Sequence, residues 1–375
     1  MVHQELTINE KLLKTITPTL KIFRIMGIFP VTYDNYKITW SVTLYTFSFL
    51  AATLVAIWGI WGFVDDMTTA SFLTLGFRGT VDFFITSFEV SEIIASGFYF
   101  VISTKGKSKN IRTILINFDK IDNMITPIFV RKIRRKSIFV TSFVLSFMIV
   151  LYIFDLFMWG NNSWRGLNNY MGYYILFTVS ISHEVLYWHW VNLIYYRVLA
   201  MNNYVEDLEE KDISCESISY VVTAYDCICE CIEKFNTCFG NSATLIILSC
   251  YINLVVCPYV LFVMMSSNEI SLLNYVYFVW IGVHICRLFV LMNVCHSCEY
   301  LKGKTSSLVF RLLTQPLGDN TRKKVKTLAF KTTKMKIRFS AYGLPKVNRH
   351  LILSVISSIS TYWMILIQFS ARLET

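Results

Sequence analysis

Apolar runs about as long as a lipid bilayer is thick recur along this chain of 375 residues. A helix needs roughly 20 apolar residues to cross a hydrocarbon core of about 30 Å, and a helix satisfies its own backbone hydrogen bonds in lipid. Seven such runs are predicted as transmembrane helices, at approximately 38–64, 70–102, 138–159, 169–201, 239–266, 272–298 and 347–370. We therefore expect an all-α membrane protein, folded as one domain over residues 1–375, without an internal repeat.

The composition supports a membrane protein. Hydrophobic residues make up 54% of the chain and charged residues only 16%, and the mean hydropathy is +0.49. A soluble domain carries about 25% charged residues. The net charge of +10 could suggest a nucleic-acid partner, but the basic residues cluster between the apolar runs. This pattern is typical of cytoplasmic loops, so we expect lipid as a partner and no nucleic acid.

The distribution of Lys and Arg predicts the orientation. Of the 35 basic residues, 28 lie before the first span, between the second and third spans, or between the sixth and seventh. The positive-inside rule then places the N-terminus in the cytoplasm and the C-terminus outside. No signal peptide is recognised in the first residues. The sequon at Asn161 falls in a predicted outer loop and is a candidate glycosylation site.

The connection between the fourth and fifth spans is acidic although its predicted side is cytoplasmic. Residues 220–239 mix apolar and charged positions at helical spacing, which indicates a helix extending below the membrane. The basic stretch 308–340 could complement these acids in a cytoplasmic bundle. The alternative is a pair of solvated faces, and the sequence favours neither.

Motifs of soluble enzymes are excluded by spacing. His183 and His189 lie six residues apart, so their rings do not share the helix face that a zinc protease requires. The ten cysteines include Cys227, Cys229 and Cys231, which alternate around a helix and cannot converge on one tetrahedral ion. We expect reduced structural cysteines, no metal, no cofactor and no enzymatic activity.

The last predicted span carries a small, partly polar stripe. Its members recur at helical spacing: Ser354, Ser358, Thr361, Ile365, and Gln368 with Phe369. An amide without a partner in hydrocarbon costs a few kcal/mol, so the stripe should face protein or water. Helix packing and a pore lining are both compatible with it.

The residues of this span resemble a family signature. Thr361-Tyr362, five apolar residues and then Gln368-Phe369 resemble the C-terminal signature of insect gustatory receptors. The stretch 339–344 followed by Arg349 resembles the segment that precedes the last helix in that family, with Pro345 where an aromatic residue is common. The stretch 26–30, Met-Gly-Ile-Phe-Pro, is similar to the family's motif before the first span.

The resemblance implies a tastant-gated, non-selective cation channel in the plasma membrane of gustatory receptor neurons. Four subunits would surround a pore lined by the last helix, as a homotetramer or together with other gustatory receptors. The pore and gate residues would be Ile365, Gln368 and Phe369. Family members for common sugars tend to have Glu after the Thr-Tyr pair, whereas this chain has Trp363, which favours bitter or other plant compounds without excluding fructose-type receptors.

Polar and aromatic residues in the outer halves of the spans are candidates for ligand contact, because small-molecule sites combine aromatic walls with a few polar groups. They are Arg78, Asp82, Asp155, Trp159, Tyr173, Phe177, Tyr277 and Trp280. The alternative for the aromatic residues is a belt at the membrane interface. For Glu89, Glu92 and Arg287 we expect interhelical pairing instead.

Two other classes of membrane protein remain as alternatives. Seven spans also fit a G-protein-coupled receptor, but that class has its N-terminus outside, and its Asp-Arg-Tyr and Asn-Pro-x-x-Tyr motifs are absent. A transporter would more often show two related halves.

Overall fold

A computed structural model of the chain describes residues 6–7, 10–34, 37–68, 80–125, 130–159, 164–209, 213–266, 273–334, 338–341, 347 and 349–373. These residues form ten helices and three short strands. The helices are α1 (Glu10–Ile25), α2 (Val42–Thr68), α3 (Thr80–Ile102), α4 (Thr104–Met124), α5 (Val130–Trp159), α6 (Trp164–Glu209), α7 (Cys215–Ser266), α8 (Leu273–Leu313), α9 (Asp319–Lys334) and α10 (Arg349–Leu373). The strands are β1 (Leu6–Thr7), β2 (Val31–Asp34) and β3 (Lys37–Trp40).

The expected helical architecture is confirmed, and each predicted span overlaps a long helix: α2, α3, α5, α6, α7, α8 and α10. The span predicted at 38–64 was placed a few residues too early, because residues 38–40 pair in β3, and positions 70–79 of the second predicted span lie outside the described residues. Within the described ranges, four of them (α2, α5, α7 and α8) contain segments long and apolar enough to cross a membrane by length and composition alone. In α10 the comparable apolar segment is shorter, Leu351–Ile365. The spans α6 and α7 run on past the thickness of a bilayer, with 46 and 52 residues.

The segment before α2 folds back on the helical body. α1 ends in a Schellman motif, in which Ile28 N–H donates to the Phe23 carbonyl at 3.0 Å and Gly27 N–H donates to the Arg24 carbonyl at 3.0 Å. Gly27 has a φ of 72°, and a Cβ at this position would lie 2.9 Å from the Ser48 side chain. The turn leads into the antiparallel sheet, in which β3 lies between β1 and β2.

The loop predicted between the second and third spans contains a helix that hydropathy did not reveal. α4 buries an apolar face against α7, with Ile111, Ile114, Leu115, Phe118 and Ile121 in the core. Two polar contacts fix its position: Arg197 of α6 pairs with Asp122 at 2.7 Å, and Asn117 donates to Glu230 of α7 at 2.9 Å. We call α4, α9 and the parts of α6, α7 and α8 that pack with them the basal bundle.

The basal bundle includes the acidic and basic segments that the sequence left open. Lys331 of α9 binds Asp226 of α7 at 2.6 Å, and Arg311 of α8 binds Glu209 of α6 at 3.0 Å. Lys324 of α9 donates to the Ser219 hydroxyl of α7. The two segments therefore pack as a bundle rather than as separate solvated faces.

Close contact between α2 and α6 depends on glycine. A Cβ on Gly172 would lie 2.6 Å from the backbone nitrogen of Gly59, and a Cβ on Gly62 would overlap the Asn169 backbone. Small residues let helix backbones approach closely in membranes, where packing rather than hydrophobic burial holds helices together. These glycines set the separation of α2 from α6, which carries more buried polar side chains than any other described helix.

Candidate functional site

A polar and aromatic group of side chains lies where α5, α6 and α8 meet. We call it the inner cluster; its members are Tyr152, Asp155, Tyr173, Tyr174, Phe177, Thr178 and Trp280. Asp155 is buried at its centre, with 7% of its surface exposed. It accepts a hydrogen bond of 2.5 Å from the Tyr174 hydroxyl and one of 3.2 Å from the Trp280 indole N–H. A buried carboxylate is tolerated here because two donors from two other helices meet it.

Aromatic rings form the walls around this carboxylate. Tyr173 and Phe177 stack one helical turn apart, with ring centroids 6.2 Å apart. Phe177 meets Trp280 edge to face at 5.4 Å, and Tyr152 packs on Tyr174 at 4.6 Å. The Tyr152 and Thr178 hydroxyls are 3.0 Å apart. The region therefore offers flat apolar surfaces beside a few fixed hydrogen-bonding groups, which is the usual chemistry of a small-molecule site.

An ion pair closes the cluster on its basal side. Arg287 Nε of α8 lies 3.1 Å from both carboxylate oxygens of Glu184 in α6, and Arg287 Nη2 also binds Glu184. The remaining arm of Arg287 donates to Nδ1 of His284 at 2.8 Å, so that ring nitrogen acts as an acceptor. The guanidinium lies 5.1 Å from the Phe177 ring centroid. The interhelical pairing expected for Arg287 is present.

Helix α3 contributes two more carboxylates. Glu89 lies within electrostatic range of Glu92 and Asp155. Glu92 faces the hydroxyls of Ser96 and Ser249. Neither oxygen of its carboxylate reaches hydrogen-bond geometry with a partner in the described part of the chain.

Carboxyl groups outnumber basic side chains in the described part of the region. Glu92 and Glu184 lie near the guanidinium of Arg287, and Glu89 and Asp155 lie near each other. Such a site suits a neutral ligand rich in hydrogen-bond donors, or a cationic one, better than an anion.

The predicted ligand residues fall into two groups. Asp155, Tyr173, Phe177 and Trp280 are brought together in the inner cluster, and Tyr277 interacts electrostatically with Asp155 and Glu89. Arg78 and Asn161 lie outside the described residues, as do the side chains of Asp82 and Trp159. Ligand contact by all of these residues remains a prediction.

Sequence reasoning missed three members of the cluster: Tyr152, Tyr174 and Thr178. A signal was available for each of them. Tyr152 precedes Asp155 by three residues, Tyr174 precedes Phe177 by three, and Thr178 follows Tyr174 by four, so each shares a helix face with a residue that points inward.

Helix α10 is packed on one side only. Val355 is buried, and the Ser358 hydroxyl lies 2.8 Å from the Tyr251 hydroxyl of α7. Tyr362 meets the Tyr251 ring at 6.3 Å, edge to face. At 100° per residue, Ser354, Thr361, Ile365 and Gln368 of the predicted stripe centre about 80° away from this packed face, whereas Ser358 of the same stripe lies on it. These four side chains are exposed, and the side chain of Phe369 lies outside the described residues.

Known proteins resemble this chain in sequence and in fold. A family model described as 7tm chemosensory receptor matches residues 16–372. The gustatory receptor for sugar taste 43a of Drosophila melanogaster is 30% identical over 146 residues, which is 39% of this chain and 34% of that receptor. The matched stretch thus spans about a third of that relative's length.

Among solved structures, the insect olfactory receptor OR5 from Machilis hrabei superposes with a TM-score of 0.69 at 14% identity, covering 96% of this chain and 98% of that one. Its complex with eugenol gives a TM-score of 0.71 over the same shares. At this identity the likeness bears on the fold, and the expected seven-span fold is confirmed. The relatives are chemosensory receptors and not enzymes. With the family model matching nearly all of its length, the chain belongs to the 7tm chemosensory receptor family.

Proposed function

We propose that the chain is one subunit of a tastant-gated, non-selective cation channel in the plasma membrane of gustatory receptor neurons. The observation that carries the proposal is the free face of α10, where Ser354, Thr361, Ile365 and Gln368 of the stripe are exposed in the described part of the chain. Polar groups on a membrane helix face protein or water. Four copies arranged around this stripe would surround an aqueous path.

The packing of α10 supports this arrangement. Its contact face is directed at α7 and α8, and its other exposed residues include the apolar Leu353, Ile356 and Met364, together with Ser357 and Ser360. The helix therefore presents an apolar side to lipid or to a neighbouring subunit and a polar side to the proposed pore. Partner subunits are copies of this chain, or other gustatory receptors together with it.

The gate is assigned to Gln368 and Phe369, with Ile365 one turn away. A ring of amides can hold hydrated cations without selecting one species, and a ring of Phe side chains closes a pore by excluding water. With the N-terminus in the cytoplasm, as the positive charges indicate, these residues lie towards the outer end of α10.

The inner cluster is the proposed tastant site. Asp155 and its aromatic neighbours provide hydrogen-bond acceptors and flat apolar walls within one buried region. A ligand there favours opening only to the extent that it binds the open state more tightly than the closed state.

Two ligand classes follow from different observations. Trp363 directly after the Thr361-Tyr362 pair favours bitter or other plant compounds over common sugars. The relative named as a gustatory receptor for sugar taste favours a sugar. Calcium imaging of cells that express this chain alone, exposed to sugars and to plant alkaloids, separates the two. A response from the chain alone also establishes that it works without another receptor.

The pore assignment is tested by recording from Gln368→Ala and Phe369→Ala channels. We expect altered conductance or leak with unchanged ligand potency, because α10 contributes no residue to the inner cluster. Trp363→Phe, on the opposite side of α10, is the matched control and should leave conductance unchanged. Normal conductance combined with lost potency in the Gln368 and Phe369 variants would contradict the gate.

The assembly is tested by particle symmetry of the purified protein in detergent. Fourfold particles are expected, and a monomer or dimer would count against the central pore. The predicted pocket residues of the second span are tested separately: Arg78→Gln and Asp82→Asn should each shift the agonist concentration–response curve. Unchanged curves for both would remove these two residues from the proposed site.

A further inference from the structure

A groove opens on the outer surface of the helical body between α5, α6 and α8. Its volume is about 530 Å³, and its lining is almost wholly apolar. The α5 wall contains Val140, Phe143, Val144 and Phe147, and the α8 wall contains Val279, Gly282, Cys286 and Val290. We call it the lateral groove. It is separate from the inner cluster, since Glu184 and Arg287 stand at its floor and bind each other.

The groove faces the surrounding medium rather than the protein interior. Phe143 is 59% exposed and Val290 48% exposed, and both belong to helices that span the membrane. Phe139, Phe143 and Phe147 stack in a ladder along α5, with centroid separations of 6.1 and 6.2 Å. Molecules that reach the groove therefore come from the bilayer.

A cluster of positive charge stands at the basal end of the groove. The first turns of α5 carry five basic residues in six positions: Arg131, Lys132, Arg134, Arg135 and Lys136. We call them the basic turn. All five side chains are exposed, and none of them forms an ion pair with a carboxylate in the described part of the chain.

The basic turn and the groove are continuous. Lys132, Lys136, Val140 and Val144 recur every four residues and so share one face of α5. Lys136 Nζ lies 5.3 Å from the ring centroid of Trp188, and Trp188 itself lines the groove.

We propose that the lateral groove and the basic turn together bind an anionic phospholipid of the surrounding membrane. Its phosphate lies against Lys132 and Lys136, and one acyl chain lies in the groove along the Phe ladder. The dimensions agree: Phe147 lies eleven helical steps after Lys136, a rise of about 16 Å, close to half of a hydrocarbon core of about 30 Å. One acyl chain of a single leaflet fits this length.

The charge explains why the lipid is anionic. Each Lys or Arg near the surface of an anionic leaflet contributes about 1 kcal/mol of attraction, about fivefold in affinity. In the orientation that the positive charges indicate, the basic turn lies at the cytoplasmic leaflet, where the anionic lipids are concentrated. A zwitterionic lipid can place the same acyl chain in the groove but gains nothing from the lysines, so it occupies the groove for a smaller fraction of the time.

Cys286 provides a direct probe of groove occupancy. All ten cysteines are described and free, and Cys286 is the one that is exposed, on the wall of the groove. The half-buried Cys215 and Cys229 are first replaced by Ser, so that labelling reports on Cys286 alone. The full chain is placed in nanodiscs of phosphatidylcholine with or without phosphatidylserine, and the rate of reaction with a lipid-soluble maleimide is measured.

We expect phosphatidylserine to slow the labelling of Cys286 severalfold. Lys132→Gln with Lys136→Gln should raise the phosphatidylserine content that gives half protection by about fivefold for each lysine removed. Lys323→Gln with Lys326→Gln, at two exposed positions on α9, is the control. It removes the same amount of positive charge and should leave protection unchanged.

A second variant tests the groove itself. A Cβ on Gly282 meets no atom within 4 Å, so Gly282→Trp fills the groove without displacing a backbone. Phosphatidylserine should then have no further effect on labelling. Equal labelling rates in both lipids for the unmodified chain would overturn the proposal. Protection by soluble glycerophosphoserine alone would also overturn it, because no acyl chain would then be needed.

Discussion

Arg287 of α8 and Glu184 of α6 form a two-point ion pair, with 7% and 12% of their side-chain surfaces exposed. The pair joins two spans at the level where the inner cluster ends and the lateral groove has its floor. A buried charge that loses its partner destabilises a fold by about 3–5 kcal/mol, whereas removing both charges costs much less.

We therefore predict that Arg287→Met lowers the free energy of unfolding by about 3–5 kcal/mol. The double variant Glu184→Gln with Arg287→Met should be more stable than Arg287→Met alone. Thermal unfolding in detergent measures both. Arg311→Met, which breaks the exposed pair with Glu209, is the control and should cost less than about 1 kcal/mol. Glu184→Gln alone is measured as well. A loss of stability in the double variant equal to the sum of the losses in Arg287→Met and Glu184→Gln would show that the residues do not act as a pair.

Asp155 is predicted to set ligand potency. Asp155→Asn keeps the size of the side chain but removes the charge that accepts from Tyr174 and Trp280. A hydrogen bond to a charged group contributes about 1.5–3 kcal/mol, so the agonist concentration for half response should shift by about tenfold or more. Single-channel conductance should not change. Asp226→Asn, in the basal bundle, is the matched control, and an equal shift in that variant would argue against a ligand role for Asp155.

Lys107 is predicted to make stability depend on pH. It is buried in α4, where Nζ donates to the Ser242 hydroxyl at 3.1 Å and lies 3.0 Å from His183 Nε2, and no carboxylate pairs with it in the described part of the chain. Burial lowers the pKa of Lys107 to about 7 from the usual value of 10.5. Between these two values the unfolded chain binds the proton and the folded chain does not, so stability should rise with pH across that interval.

The contribution of Lys107 is isolated by comparing unfolding at pH 7 and pH 10 in Lys107→Met and in the unmodified protein. The substitution should flatten the rise in stability. Lys109→Met, an exposed neighbour on the same helix, should leave the rise intact. An unchanged pH profile in Lys107→Met would assign the rise to other groups.

Gly172 is predicted to tolerate no side chain. A Cβ there would overlap the Gly59 backbone, which is not a flexible side chain that can move aside. Overpacking of this kind costs about 1–3 kcal/mol, so Gly172→Ala should lower the unfolding temperature. Gly303→Ala, at a helical position where a Cβ meets no atom within 4 Å, should instead stabilise the protein by up to about 1 kcal/mol. A neutral Gly172→Ala would mean that α2 and α6 can separate freely.

The helices that cross the membrane were predictable because a long apolar run indicates by itself that the segment lies in lipid. The runs that became α2, α5, α7 and α8 need no knowledge of the rest of the fold. Helix α4 was missed although Ile111, Ile114, Leu115 and Phe118 recur at helical spacing, because its lysines indicated a solvated loop. One of those lysines, Lys107, is buried. No local sequence pattern shows that its ammonium group contacts His183 and Ser242 of two other helices.

The residues of the inner cluster were likewise predictable only in part. Asp155 could be recognised because a carboxylate is costly inside a membrane helix and is therefore often functional. Trp280 could be recognised because aromatic rings commonly form the walls of small-molecule sites. That Tyr174 is the residue that donates to Asp155 depends on the rotation of α6 against α5, which sequence periodicity does not fix.

Helix α7 is continuous over 52 residues and so extends about 78 Å. Near its outer end Cys257 lies within electrostatic range of Glu89 and Asp155, one and a half turns further Tyr251 touches α10, and near the other end Asp226 binds α9. If α7 tilts as a rigid rod below Pro258, a tilt of about two degrees at the level of Cys257 moves the Asp226 level, about 46 Å away, by about 1.5 Å. The inner cluster, α10 and the basal bundle are thus all in contact with one continuous helix.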